Sequence, residues 1–249
     1  MKRGYIKYGV LGVILVIVIF TIFIQSRVKV SKTTQAEVEQ GIEIVKKYEA
    51  VKVADVEEVM ESIAEAEAES EKAWHERPLK ERYENAMVLG DSEAFSLSAY
   101  DLLQESQVAA KIGCKISDSD EHVEKAIDRQ PSVLFMTYGK NDLGVYGSAD
   151  EFVSVYVDKI RMLQQGIPNT TIYIVSILPS TQAAKDENPY MANDTAYNEA
   201  LKAKAAEMNL EYIDCTGLVK DEYYEPDGMH YIKDLYEQWA IFMADRADI

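Results

Sequence analysis

The chain has little of what a disulfide-framed or metal-dependent protein needs. Its 249 residues include two cysteines, Cys114 and Cys215, too few for a disulfide scaffold. Each follows an apolar run, where a free cysteine behaves as a small buried apolar side chain. A bridge would need the two strand ends to be neighbours, which the sequence leaves open. Histidine occurs only at 75, 122 and 230, and no His or Cys cluster has metal-ligand spacing, so neither a structural metal nor a cofactor is expected. Basic residues are outnumbered 26 to 43, for a net charge of −17. That surplus repels phosphate and argues against nucleic acid as a partner. Proline is absent before Pro78, and residues 85–249 hold no repeat or low-complexity tract.

What is present begins with a targeting feature. Lys2, Arg3 and Lys7 precede an uncharged apolar run over residues 9–24, about 24 Å long as a helix against a bilayer core of about 30 Å. Tyr5, Ile6 and Tyr8 extend it, with Lys7 reaching back to the headgroups. The run is long for a cleaved signal peptide, and Ile24-Gln-Ser-Arg-Val offers no small-x-small cleavage site. Residues 1–32 therefore read as an uncleaved single-pass signal anchor in the cell membrane. Arg27, Lys29 and Lys32 flank its far end, so the basic count does not orient it; the short N-terminal tail favours an extracytoplasmic C-terminal domain.

Residues 33–82 are rich in Glu, Ala, Val and Lys. Apolar residues recur at Val38, Ile42 and Val45, then at Val56, Val59, Ile63 and Ala66, which is helical spacing. The stripe is thin and broken near Lys52, so a solvated acidic helical stalk is expected, packed on itself or on a partner. The globular domain is placed at 83–249. There the chain alternates: apolar runs at 86–89, 108–112, 133–138, 171–178 and 210–214 are each followed by a helix-length amphipathic segment, 93–104, 119–129, 149–165, 193–208 and 231–246. Five such units predict an α/β domain with a five-stranded parallel sheet covered on both faces. Ligands then lie outside the carboxyl ends of the strands.

Four short blocks map to that edge. Gly90-Asp91-Ser92 ends the first run and opens a helix, the geometry of an exposed nucleophile beside a helix N-terminus. Gly113 follows the second run, Gly139-Lys140-Asn141-Asp142 the third, and Asp227-Gly228-Met229-His230 precedes the last helix. Each block alone is weak. In this order they resemble the SGNH (GDSL-type) hydrolases, over about residues 85–249. The resemblance implies a three-layer flavodoxin-like fold with strand order 2-1-3-4-5. It supplies the Ser92 and Gly113 N–H groups and the Asn141 side-chain amide as oxyanion donors, with Gly90, Asp91, Gly139 and Asp142 as supporting positions.

The chemistry follows from the residue types. A serine hydroxyl needs a base within hydrogen-bond reach, and His230 is the histidine the fold can deliver to that edge. Asp227, three residues earlier, can fix its tautomer and stabilise the imidazolium. Glu93 departs from the family pattern, which commonly has an apolar residue there, and a carboxylate beside the nucleophile would repel anionic substrates. Asp91 and Asp142 orient loops; Lys140 and Asp142 can alternatively be solvated. His75 falls in the stalk and His122 on a polar helix face. Tyr223-Tyr224-Glu225-Pro226 reads as loop packing, with a sugar-binding cleft as its alternative. The resulting expectation is a membrane-anchored serine esterase that removes small acyl groups, acetyl first, from carbohydrate or related esters. An O-acyltransferase of envelope polysaccharide would need the same triad, and a non-catalytic envelope scaffold would need none of it.

Overall fold

The computed structural model describes residues 74–249 throughout, and before them residues 35–49 and 59–66 and positions 17, 18 and 56. The chain divides into two units, residues 1–67 and 68–249. In the first, helix α1 spans Gln35–Glu49, and residues 59–66 are also helical. Val38, Ile42, Val45, Val59 and Ile63 are each roughly half exposed. The expected anchor, residues 1–32, lies outside the described residues except for Ile17 and Val18, both helical. Among the described residues no helix is long and apolar enough to cross a membrane.

The second unit is an α/β domain. Strands β1 (Ala86–Gly90), β2 (Val108–Ala110), β3 (Val133–Met136), β4 (Thr171–Val175) and β5 (Glu211–Ile213) form one sheet in the order β2-β1-β3-β4-β5. Every pairing is parallel. This is the 2-1-3-4-5 order that the resemblance implies. The helices are α2 (Leu79–Arg82), α3 (Ser92–Ala99), α4 (Asp120–Arg129), α5 (Ala149–Gly166), α6 (Gln182–Glu187), α7 (Asp194–Glu207) and α8 (Lys233–Ala247).

β1 and β3 are buried along their whole length, which is why they read as unbroken apolar runs rather than alternating ones. The two-residue period still sorts their side chains. Met87, Leu89, Leu134 and Met136 join a core with Val123 of α4, Phe152 and Ile160 of α5 and Leu201 of α7. Ala86, Val88, Val133 and Phe135 join the other, with Leu97 of α3 and Leu235, Tyr236 and Trp239 of α8. These are the three layers.

The packed unit reaches upstream of Tyr83. His75 Nδ1 lies 3.2 Å from Asp245 Oδ1. The buried Arg82 donates to the same carboxylate at 2.6 Å and to the Ile249 carbonyl at 2.9 Å. His75 is thus part of the domain and not of a stalk, because Arg82 needs partners once buried. Between β4 and α7 the chain adds α6 and a 3-10 turn, Pro189–Asn193, where the sequence suggested only a connection. Cys114 and Cys215 are free and buried. They follow the two outermost strands and belong to different cores, so the fold keeps them apart.

Phe135 is fully buried on the central strand, with ring centroids 5.7 Å from Tyr83 and 5.4 Å from Tyr173. Phe135→Ala is expected to cost about 3–5 kcal/mol in a urea unfolding titration. A loss below about 1 kcal/mol would mean that this face of the sheet is not close-packed.

Candidate active site

The serine turn is built by contacts that leave no room for error. Asp91 is the N-cap of α3, and its carboxylate accepts from Glu93 N–H at 3.1 Å. Ser92 is therefore the first residue of the helix, where backbone N–H groups have no intrahelical partner and the helix dipole favours negative charge. Gly90 lies against β3: a Cβ there would overlap Thr137 Oγ1 and sit 2.6 Å from Ala94 Cβ. Thr137 in turn donates through both N–H and Oγ1 to the Leu89 carbonyl, at 2.8 and 3.0 Å. Only a glycine lets β1 turn into α3 this close to β3.

The base comes from the loop before α8. His230 Nε2 lies 3.4 Å from Ser92 Oγ, and His230 Nδ1 lies 2.6 Å from Asp227 Oδ2. Asp227 Oδ1 also accepts from the N–H groups of Met229 and His230, each at 2.9 Å. Burial acts to raise the Asp227 carboxyl, but these hydrogen bonds outweigh it and hold it at about 2. The carboxylate is thus ionised and suited to accept Nδ1–H, which leaves Nε2 to face the serine. Gly228 makes the loop's turn at φ +66, and a Cβ on it would overlap Thr181 Oγ1. Thr181 N–H donates to the Gly228 carbonyl at 2.9 Å, which ties the loop to the segment after β4.

The remaining blocks converge on the same edge. Burial pushes the Asp91 carboxyl up to about 6, against the opposing pull of Glu93 N–H, Lys140, Asn141 and His230. The side chains of Lys140, Asn141 and His230 are thus close enough to act on the residue preceding Ser92. The Asn141 amide nitrogen is buried, and its side chain acts on the Asp91 carboxyl as a hydrogen-bond donor. Gly139 stands at φ +143 with Ile177 packed where a Cβ would be, and Gly113 stands at φ +74 in open space. Gly113 is needed for its backbone conformation alone.

Several charged side chains lie elsewhere than the sequence suggested. Lys140 and Asp142 are buried, not solvated. Asp142 accepts from Ile116 N–H at 3.1 Å and so anchors the loop after β2. Glu93 is buried too, facing the interior instead of an incoming substrate. His122 is buried on α4, with Nδ1 2.7 Å from the Tyr138 hydroxyl, and is not on a solvated face. The Tyr224 hydroxyl donates to the Pro179 carbonyl at 3.0 Å and Tyr223 is buried, so both rings of the aromatic stretch pack against the domain. No periodicity marks Glu93 or Lys140 as interior. Their one mark in the sequence is a charge set directly beside each block's key residue, Glu93 after Ser92 and Lys140 before Asn141.

Known proteins share the family pattern and the fold. The model of the GDSL-like Lipase/Acylhydrolase family matches residues 62–237. No curated protein matches the chain. Solved structures share its fold at low identity. A GDSL-like lipase from Bacteroides thetaiotaomicron VPI-5482 aligns with TM-score 0.54 and 12% identity, over 74% of this chain and 96% of that one. A carbohydrate esterase family 3 protein from Talaromyces cellulolyticus gives 0.52 and 15%, over 66% and 95%. The lipase/acylhydrolase from Enterococcus faecalis gives 0.52 and 15%, over 65% and 94%.

Burial raises Asp142 from 3.8 to about 7, more than offsetting the Ile116 N–H. The unfolded chain then loses this proton first, so the stability the protonated group provides is full below about 3.8 and is lost as pH rises through about 7. The unfolding free energy of the wild type from urea titrations should fall relative to that of Asp142→Asn between pH 4 and 8, with a slope of up to about 1.4 kcal/mol per pH unit. Parallel curves for the two proteins would show that this carboxyl keeps its ordinary value in the fold.

Proposed function

We propose that this chain, which belongs to the GDSL-like lipase/acylhydrolase family and is an ester-hydrolysing enzyme, works through an acyl-Ser92 intermediate with His230 as base and Asp227 as its orienting carboxylate. The observation that carries the reading is the unbroken series Ser92 Oγ, His230, Asp227, with gaps of 3.4 and 2.6 Å. In acylation Ser92 Oγ attacks the ester carbonyl and its proton passes to His230 Nε2. The carbonyl oxygen becomes an oxyanion, received by the N–H groups of Ser92 and Gly113 and by the Asn141 amide. Collapse expels the alcohol, which leaves with the proton from His230, and Ser92 holds the acyl group as an ester. Water, deprotonated by the same imidazole, then releases the acid. A sugar hydroxyl in place of water would make the same site an O-acyltransferase.

The substrates proposed are small acyl esters, acetyl first, of carbohydrate or related alcohols. The side chains of His230 and Asp227 are 44% and 39% exposed, so an acceptor or leaving group of any length can extend into solvent. Residues 9–24 would anchor the domain outside the cell membrane through the helical segment that follows, within reach of envelope polysaccharide.

A p-nitrophenyl ester series on the full chain tests this. Acetyl should be favoured over longer acyl groups, Ser92→Ala should lose at least about 10³-fold in kcat, and Asn141→Ala about 10²–10³-fold. Intact cells should hydrolyse a membrane-impermeant ester equally well. Equal rates for wild type and Ser92→Ala would sink the nucleophile, and activity only after lysis would sink the location.

A further inference from the structure

Two charged residues inside the domain have no part in the chemistry above. Glu93 and Lys140 are 2% and 8% exposed. Lys140 Nζ donates to the Leu178 carbonyl at 2.7 Å, lies 3.7 Å from Glu93 Oε1 and stands 5.6 Å from the centroid of the Tyr231 ring. The Tyr231 hydroxyl donates to the Pro179 carbonyl, next along the chain from Leu178. Glu93 follows Ser92, Lys140 precedes Asn141, and Tyr231 follows His230. Three loops, each carrying one reacting group, therefore place the neighbour of that group in a single buried cluster.

We propose that the Glu93–Lys140 pair, flanked by Tyr231, is a positioning clamp that sets the spacing of the serine turn, the Asn141 loop and the His230 loop; its effect on rate rests on the acyl-transfer reading given above. Lys140 lies 3.7 Å from Glu93 and also attracts the buried Asp91 carboxyl, so it is the cation that both carboxyls of the serine turn feel. Glu93 faces Lys140 and Asp91 and lies near the hydroxyls of Tyr224, Tyr231 and Tyr236. In so dry a setting charges interact over longer distances than in water, and a buried ion left alone is penalised far more than a pair removed together. Burial pushes the Glu93 carboxyl up to about 8 against the pull of Lys140, so both charges stand together only above that value; there the clamp holds most firmly, tolerates the loss of both charges, and fails when one is removed. Neither side chain hydrogen-bonds to Ser92, Asn141 or His230, so its action is on position and not on the reacting atoms.

The test uses the full chain with Glu93→Gln, Lys140→Met and the two combined. At about pH 9, where Glu93 is ionised, kcat and KM for p-nitrophenyl acetate are measured beside hydrogen exchange of peptides covering 91–99, 139–146 and 225–232. Lys140→Met should lower kcat about 10- to 100-fold with KM within about threefold, the mark of lost transition-state alignment. It should also speed exchange in all three peptides, and the double variant should recover part of both losses. Losses that multiply in the double variant, faster exchange confined to the substituted peptide, or a kcat that tracks only the folded fraction would each overturn the clamp. If Lys140→Met does not fold, the isosteric Glu93→Gln decides by the same exchange pattern. Wild type without ester activity but with linked exchange would keep the clamp and discard the esterase. An active wild type with both single variants within about twofold would do the reverse.

Discussion

The approach of β1 to β3 at their carboxyl ends governs the whole functional edge. Gly90 lies where any side chain would strike Thr137, and Thr137 holds the Leu89 carbonyl by two hydrogen bonds. This contact decides where β1 stops, hence where Asp91 caps α3 and where Ser92 stands. Because the sheet is parallel throughout, the carboxyl ends of all five strands share one edge. Each following loop can then deliver one group to a common point. The order β2-β1-β3 sets the Gly113 and Asn141 loops on either side of the serine turn. The His230 loop, held by Thr181 after β4, completes the arrangement.

Electrostatics divides the site into a wet half and a dry half. His230 and Asp227 stand half in solvent, where several hydrogen bonds together outweigh the desolvation cost and keep the carboxylate ionised. Asp91, Glu93 and Asp142 are fully buried, where desolvation wins and raises all three. The same residue type thus takes opposite roles by depth. Ionised carboxylate serves as the histidine's partner at the surface, and protonatable acids with backbone or lysine partners hold the loops inside.

Much of the scaffold was legible because burial on both faces leaves a mark in the sequence. The five apolar runs became the five strands, and the helix-length segments after them became α3, α4, α5, α7 and α8, with ends shifted by a few residues. The blocks at the strand ends were legible as glycines and polar residues that interrupt an apolar run. The segment with α6 was not, since Gln182–Glu187 is short and has no core stripe of its own. The burial of Glu93, Lys140, Asp142 and His122 was equally hidden. Periodicity sorts side chains by average polarity, and a charged residue paired in the interior looks like any solvated one. Arg82 and His75 were misplaced for the same reason, since their partner Asp245 is more than 160 residues away.

The proposed chemistry requires Ser92 to carry the acyl group. The most direct measurement is rapid acid quench of the full chain during turnover of p-nitrophenyl acetate, followed by mass mapping of its peptides. Acetyl on Ser92 that accumulates within the first turnover and vanishes as substrate is exhausted is the predicted result. Turnover with no acetyl on Ser92, or with acetyl on another side chain, would contradict it.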